Sequence, residues 1–436
     1  MNWKSHNSSV LSFLPLLVLY IAVVLVFSSN VLEGDEFRHL HYAENLIHGF
    51  YTEADNPELL NGPGYPLVLA PFLAINSGFL ILKLLNAIFV FIGVVYFKKT
   101  IEFFAKKKYA IIFAFLVGIY PPLLRYMPLI YSEPLTFMIV CGLLFHVFKL
   151  FRSEKLNRKQ IVIISLYIVF LVLVKIIFLQ VIGLSLLILI VLFLWNRDRQ
   201  NIKIALVLVG GFLLIVPYLM YAYSLTGKLF YLGTGGGEIL YHRSTPYENE
   251  WGNWFSREDV LHGNSEDFKP DTVYENLNQL SVNHRKIYVE LEDLTFIERD
   301  SAFKAIAIEN MKAHPGKYLK NTISNVGRFL FHYPFSYRNQ NMAAYGYLIP
   351  NALILGLCIL CIYPFLLNRR NVPFELKAVM IFYLIYACAI ILLDGRGRNF
   401  IIMVPSLVLF FAYIYTNTVK ITLLKPREEK QQTNID

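Results

Sequence analysis

The sequence predicts an all-α polytopic membrane protein with about ten transmembrane helices and interfacial helices in its external loops. Three observations carry that prediction. Of the 436 residues, 56% are hydrophobic and only 16% charged, and the mean hydropathy is +0.49, a balance foreign to soluble domains. Apolar runs recur at about 10–27, 79–97, 109–127, 134–150, 160–174, 176–194, 204–223, 346–367, 375–393 and 399–416. Basic clusters occupy alternate gaps: Lys98, Lys99 and Lys106 to Lys108; Arg152, Lys155, Arg158 and Lys159; Arg197, Arg199 and Lys203; Arg369 and Arg370; and, after the last run, Lys420, Lys425, Arg427 and Lys430.

This alternation is the positive-inside pattern of a multi-pass plasma (inner) membrane protein with both termini in the cytoplasm. It requires a break at Lys175, since one uninterrupted helix there would reverse every later loop. The formal charge of +9 therefore reports topology, and no nucleic-acid partner is expected. The four cysteines all lie inside apolar runs. Cys358 and Cys361 have CxxC spacing within LGLCILCIYP, which reads as small apolar helix residues rather than a metal or redox pair.

The chain divides into an N-terminal transmembrane module (1–224) with the first external loop, a long external loop (225–345), C-terminal transmembrane helices (346–417) and a cytoplasmic tail (418–436). Lys4 precedes the first apolar run, and Ser28-Ser29-Asn30 lacks an A-x-A-like cleavage site, so this run reads as an uncleaved first span. The first polar stretch follows it, Gly34 to Tyr42, with adjacent Asp35 and Glu36 and then Arg38, His39, His41 and Tyr42. Carboxylates beside a membrane segment are the first candidates for a chemical site. Leu40, Ala43, Glu44 and Ile47 suit a short amphipathic helix at the interface, and Asp35 at its start could equally be an N-terminal cap. Asn61-Gly62-Pro63-Gly64-Tyr65-Pro66 is a turn-rich return to the bilayer, followed by a shallow, broken apolar segment before the second span. Lys83, inside that span, must snorkel or meet an anion.

Further external groups lie between Pro121 and Pro134. The prolines end one helix and restart the next, with Glu133 in its opening turn, where a carboxylate suits a helix terminus whatever its function. Arg125 stands on the side that lacks basic clusters and could pair with Glu133, the first-loop acids or an anionic ligand. In the long loop, Trp251 and Trp254 read as interfacial anchors in preference to sugar-stacking groups. Residues 298–313 form a helix ended by His314-Pro315-Gly316. Leu319, Ile323, Val326 and Leu330 then recur at helical spacing, with Lys317, Lys320 and Arg328 on a polar face. The histidines lack metal-ligand spacing, and no phosphate-loop or G-x-S-x-G motif occurs. Finally, Arg396 and Arg398 in Asp394-Gly-Arg-Gly-Arg sit between two spans, placed to neutralise phosphate or to bind lipid headgroups.

The order and shared sidedness of these motifs resemble the membrane glycosyltransferases of the GT-C superfamily, specifically the dolichyl-phosphate-mannose–protein mannosyltransferase-like family and the related aminoarabinose transferases. The resemblance covers most of residues 9–416. It rests on Gly34-Asp35-Glu36 with Tyr42 and Ala43, the Gly62 to Pro66 return, the Arg125 to Glu133 turn, the His314 to Phe329 segment, and the arginine turn before Asn399 and Pro405. It implies a GT-C fold, a polyprenyl-phosphate-linked sugar donor, an active site on the external or periplasmic face, and a catalytic Asp at Asp35 with inversion at the anomeric carbon. The acceptor, a lipid, glycan or protein hydroxyl, stays open, because the chain is shorter than the aminoarabinose transferases and lacks a large C-terminal external region.

On this reading Asp35 is the general base and Glu36 its support, while Arg396, Arg398 and Arg125 bind the donor phosphate. Tyr42, His41, Tyr65, Glu133 and Lys83 are supporting or acceptor-binding groups. No cofactor is required, although Asp35, Glu36 and Glu133 leave a divalent cation possible. Membrane lipids surround the whole. The competing class is a transporter or flippase of a lipid-linked or anionic substrate.

Overall fold

Among the described residues, five helices are long and apolar enough to cross a membrane: Phe79–Ile101, Glu133–Phe151, Gln200–Thr226, Tyr345–Asn368 and Phe374–Leu392. Shorter apolar helices, Leu14–Phe27, Gly64–Ala74, Phe178–Leu194 and Val404–Asn417, fill the spaces between them. The computed structural model describes residues 11–195, 199–263, 274–338 and 342–419, and all regular structure among them is helical. Most of the expected cytoplasmic tail, and Arg197, lie outside the described residues.

Prolines account for much of the difference from ten uniform spans. The run expected over 109–127 is broken: the helix Lys107–Gly118 stops and a separate short helix, Pro121–Tyr126, follows, because neither Pro121 nor Pro122 has an N–H to continue the ladder. The last run opens as a 3-10 helix, Gly397–Ile402, before Val404–Asn417. The break at Lys175 is present. The helix Arg158–Val174 ends there, with the Lys175 N–H donating to Leu171 O at 2.8 Å.

Side-chain contacts sort the connections to two ends of the bundle. At one end Arg152 donates to Phe103 O, Lys203 Nζ donates to Ser153 O at 2.9 Å, Phe151 packs on Phe374, and Tyr413 donates to Asn371 O at 3.3 Å. The basic gaps are thus neighbours. At the other end Lys175 meets Glu133, and Arg398 meets Asp35. Lys175 and Lys203 stand at opposite ends, so the chain reverses twice between Arg158 and Thr226.

The glycine-rich return is explained by a close approach. A Cβ on Gly62 would lie 2.0 Å from Leu173 O, and one on Gly64 2.7 Å from a Val174 methyl, so only glycine lets this bend seat on the helix end beside Lys175. The first-loop helix, Asp35–Ile47, packs on Gly64–Ala74 and buries Asp35, Glu36, His39, Tyr42 and Asn45. It is held in the protein by its polar face, not merely laid on an interface.

The long loop has a small core of its own, built from Tyr241, Phe255, Val260, Leu280, Tyr288, Phe303 and Ala307. Its helix Phe296–Ala313 opens with a capping box between Thr295 and Glu298. The next helix, Pro315–Phe331, is amphipathic as expected, but its polar stripe is the buried one. Asn321, Asn325 and Arg328 face the protein, while Leu319 and Ile323 are exposed. Arg328 is therefore not on a solvated face. An outward apolar stripe suits a helix lying on a membrane surface.

The two-ended arrangement supports an expected result. In a background without reactive native cysteines, a cysteine near Asn56 is labelled by impermeant reagent in intact cells, and one near Asn157 only after the membrane is opened. The opposite pattern overturns the inferred sidedness. Asn264, a third natural choice, lies outside the described residues.

Candidate active site

Asp35 occupies the first turn of its helix, and the cap position before it is Gly34 at φ +55°. A Cβ on Gly34 would lie 2.7 Å from the Tyr131 hydroxyl, which accepts from the Asp35 N–H at 3.3 Å. The entry therefore needs glycine, and it aims the two adjacent carboxylates differently. Glu36 turns inward: Oε1 accepts from the Ile130 N–H at 2.7 Å, Oε2 from the Glu33 N–H at 2.8 Å, and Lys83 Nζ lies 3.7 Å away. It is fully buried and ties the loop to the Pro128 to Tyr131 turn. Lys83 also donates to Ser29 O at 2.7 Å, so its anionic partner is Glu36.

Asp35 carries the long-range ion pair. Oδ1 pairs with Arg38, and Oδ2 accepts from Arg398 Nη1 at 2.6 Å. Burial pushes the Asp35 carboxyl up, but the guanidinium groups of Arg398 and Arg38, and then Arg396, outweigh it and hold the group well below the usual carboxylate range. Arg398 is shared. Its Nε lies 3.7 Å from Glu133 Oε1, which also receives Lys175 Nζ at 3.0 Å, and its guanidinium sits 5.6 Å over the Tyr131 ring. The buried Nε makes no hydrogen bond among the described residues and is left with the charge of Glu133.

Arg398 forms part of the wall of a cavity of about 740 Å³ that also receives Gly34, Tyr131, Trp254, Asp394 and Arg396. Arg396 donates from Nε to Asp394 Oδ2 at 2.6 Å and lies 5.5 Å over the Trp254 ring. Trp254 is thus part of the cavity wall and is still 39% exposed. Burial raises the Asp394 carboxyl, but Arg396 and then Arg398 bring it below its ordinary value.

Two further arginines, Arg243 and Arg328, brace this wall. Arg243 donates to Asn321 O at 2.8 Å and Leu393 O at 3.3 Å; Arg328 donates to Trp251 O and Pro334 O, both at 2.9 Å. Burial lowers Arg243 to about 9 and Arg328 to about 10, so both remain charged at neutral pH. Together with Asn325, which accepts from the Gly395 N–H at 3.0 Å, they fix the arginine turn against the loop helix.

The structure thus brings Asp35, Glu133 and Arg398 together and puts Arg396 and Arg125 in the same cavity wall. The other expected residues lie elsewhere. Tyr42 is two turns beyond Asp35 and packs on Tyr51 at 4.7 Å; His41 is beside Asn45; Tyr65 packs edge-on to His39 at 5.0 Å and donates to Asn86 at 3.4 Å. None of these three lines the cavity, nor do Glu36, Lys83, Glu133 and Asp35 itself, which sits behind Arg398. Among the described residues no three His, Cys, Asp or Glu side chains converge as a metal site. Sequence reasoning treated Lys175 only as a helix boundary. Its signal was available: a lone lysine at the end of the bundle that lacks basic clusters needs an anion.

The same fold occurs in a solved membrane enzyme. The apo oligosaccharyltransferase of Archaeoglobus fulgidus matches with a TM-score of 0.51 at 16% identity, over 92% of this chain and 50% of that one. Its complex with Zn and sulfate matches at 0.47 and 15%, over 91% and 48%. ArnT from Cupriavidus metallidurans bound to undecaprenyl phosphate matches at 0.38 and 12%, over 95% and 78%. The chain spans about half the length of the archaeal oligosaccharyltransferase. No family model matches the chain, and no match is found among curated proteins. The chain thus shares its helical fold with the archaeal oligosaccharyltransferase.

Proposed function

We propose that the protein is an inverting glycosyltransferase that moves a sugar from a polyprenyl-phosphate donor to an acceptor hydroxyl at the external membrane face. The observation that carries this reading is Arg398, which lines a large cavity and bonds to Asp35 beside it. An ionised carboxylate and a phosphate-binding guanidinium are the two groups that direct displacement at an anomeric carbon requires.

The reaction follows from those positions. Asp35 accepts the proton of the acceptor hydroxyl as its oxygen bonds to the anomeric carbon. The bond from that carbon to the phosphate oxygen breaks, and the electron pair leaves with the lipid phosphate. Arg398 and Arg396 match the charge that builds on it. A phosphate seated on Arg398 also competes for the guanidinium that Asp35 holds in the free protein, which raises the proton affinity of Asp35 when the donor is in place. Glu133 and Lys175 keep Arg398 at the wall, and Glu36 holds the loop that carries Asp35.

Purified protein incubated with a labelled polyprenyl-phosphate sugar and a panel of lipid, glycan and peptide acceptors tests this directly. A covalent product bearing the label is expected. Movement of the labelled lipid between vesicle leaflets without product would replace the reading by transport. Because arginine supplies the countercharge for a monophosphate, transfer is expected to persist in excess EDTA; loss restored by one added divalent metal would overturn that expectation.

A further inference from the structure

The far lobe of the cavity holds two arginines that the proposed reaction does not use. Arg125 lies 5.8 Å over the Tyr347 ring, and Arg338 lies 4.8 Å over the Phe335 ring. His332 joins these rings, stacked 4.3 Å from Tyr347 and set edge-on 5.0 Å from Phe335. The result is one aromatic row with a guanidinium at each end, and Arg125, His332, Phe335 and Arg338 all line the cavity.

Neither arginine has an acidic partner within 4.0 Å among the described residues. That separates them from the other cavity arginines. Arg398 pairs with Asp35, Arg396 pairs with Asp394, and Arg243 and Arg328 direct their donors to backbone carbonyls. Of the acidic side chains that line the cavity among the described residues, Glu33, Asp259 and Asp394, none pairs with Arg125 or Arg338. Burial, and then the charges of Arg338 and Arg125, lower His332 to about 3, so the imidazole is neutral at neutral pH. Burial and the charge of Arg125 also lower Arg338. Two like charges held over ring faces in one lobe repel each other until an anion enters.

The lobe is also distinct from the Arg398 position. Tyr131, under Arg398, packs 5.6 Å from Tyr126, whose hydroxyl is 3.0 Å from that of Tyr347, under Arg125. The contacts that link the guanidinium on Asp35 to Arg125 thus run through three tyrosines.

We propose that Arg125 and Arg338 form a second anion subsite, which binds a phosphate or carboxylate group of the bound substrates in addition to the donor phosphate at Arg398. The assignment of the first anion rests on the glycosyltransferase reading above. Two sources fit the same chemistry: an anionic group on the acceptor, or the second phosphate of a diphosphate-linked donor. A neutral acceptor paired with a monophosphate donor would leave the subsite empty.

Inorganic phosphate at millimolar concentration is the probe, with binding read by isotherm and by its effect on the melting temperature. Full-length protein saturated with polyprenyl monophosphate is expected still to bind phosphate. Arg338→Gln and the Arg125→Gln/Arg338→Gln pair are expected to weaken that binding at least about tenfold, the scale of one charge-assisted hydrogen bond. Arg338→Lys should retain part of it. Neutralising one of two repelling charges is expected to leave the ligand-free melting temperature unchanged or higher, whereas a purely structural arginine would lower it. Blockage by polyprenyl diphosphate, but not monophosphate, assigns the anion to the donor; indifference to both assigns it to the acceptor.

The proposal is overturned if monophosphate alone abolishes phosphate binding, or if the folded double variant binds phosphate as the parent does. Failure of polyprenyl monophosphate to bind would instead count against the donor reading. The response of phosphate binding to the two arginine substitutions would still decide the subsite.

Discussion

Asp35→Asn is expected to bind free polyprenyl phosphate at least as tightly as the parent protein and to lose most turnover, by about 10²-fold to 10⁴-fold. The amide keeps the shape of the carboxylate and can still accept from Arg398 or Arg38, but it cannot take the acceptor proton. It also stops competing with phosphate for Arg398, the guanidinium now bonded to Oδ2 at 2.6 Å. Tighter donor binding with lost turnover is the signature of a base. If Asp35 were only a countercharge for Arg398, donor binding would still tighten but turnover would stay near the parent value, and that outcome rejects the mechanism. The pH dependence has a definite sign. Asp35 is held below its ordinary value, so its ion pairs contribute stability above about pH 4 and lose it as pH falls through the lower folded-state value. In the free protein, therefore, no acid limb from Asp35 is expected near neutrality.

How much of this was legible in the sequence depends on how rare each residue type is in its surroundings. Asp35, Glu133, Arg396 and Arg398 stood out because charge is scarce beside membrane segments, and the structure puts three of them in one hydrogen-bonded and ion-paired group. Asp35 and Glu36 could not be told apart by that argument. Their roles are set by a backbone detail, the positive φ of Gly34, which aims one carboxylate at Arg398 and the other at the Ile130 and Glu33 N–H groups. Arg243, Arg328 and Arg338 were less legible for a different reason. They lie in a loop of ordinary charge density, where an arginine is unremarked until folding buries it. The apolar runs located most of the helices, but run length cannot see a ladder interrupted by Pro121 and Pro122. Amphipathic spacing in Pro315–Phe331 identified the helix without telling which face is buried, because both stripes have the same period.

The donor clamp gives the second large expected effect. Arg398→Lys should fold, yet bind polyprenyl phosphate about tenfold or more weakly, because an ammonium is a single point of contact. It cannot serve Asp35, lie near Glu133 and offer a further planar donor at once, as the guanidinium does. Arg398→Ala is harsher. It leaves Asp35 with Arg38 alone and Glu133 with Lys175 alone, two carboxylates in a buried site without the cation they share, at a cost of roughly 3 kcal/mol or more. Both folding and binding should suffer, so the Lys variant carries the test of function. Arg396→Ala should be milder in stability, since its partner Asp394 remains near Arg398, but it should still weaken the donor phosphate. The decisive comparison is between ligands on one preparation. Free polyprenyl phosphate must weaken in Arg398→Lys while the KM of a neutral acceptor changes little. Unchanged lipid-phosphate binding in a folded Arg396→Ala/Arg398→Lys protein would show that these guanidinium groups hold the loops together and that the phosphate binds elsewhere.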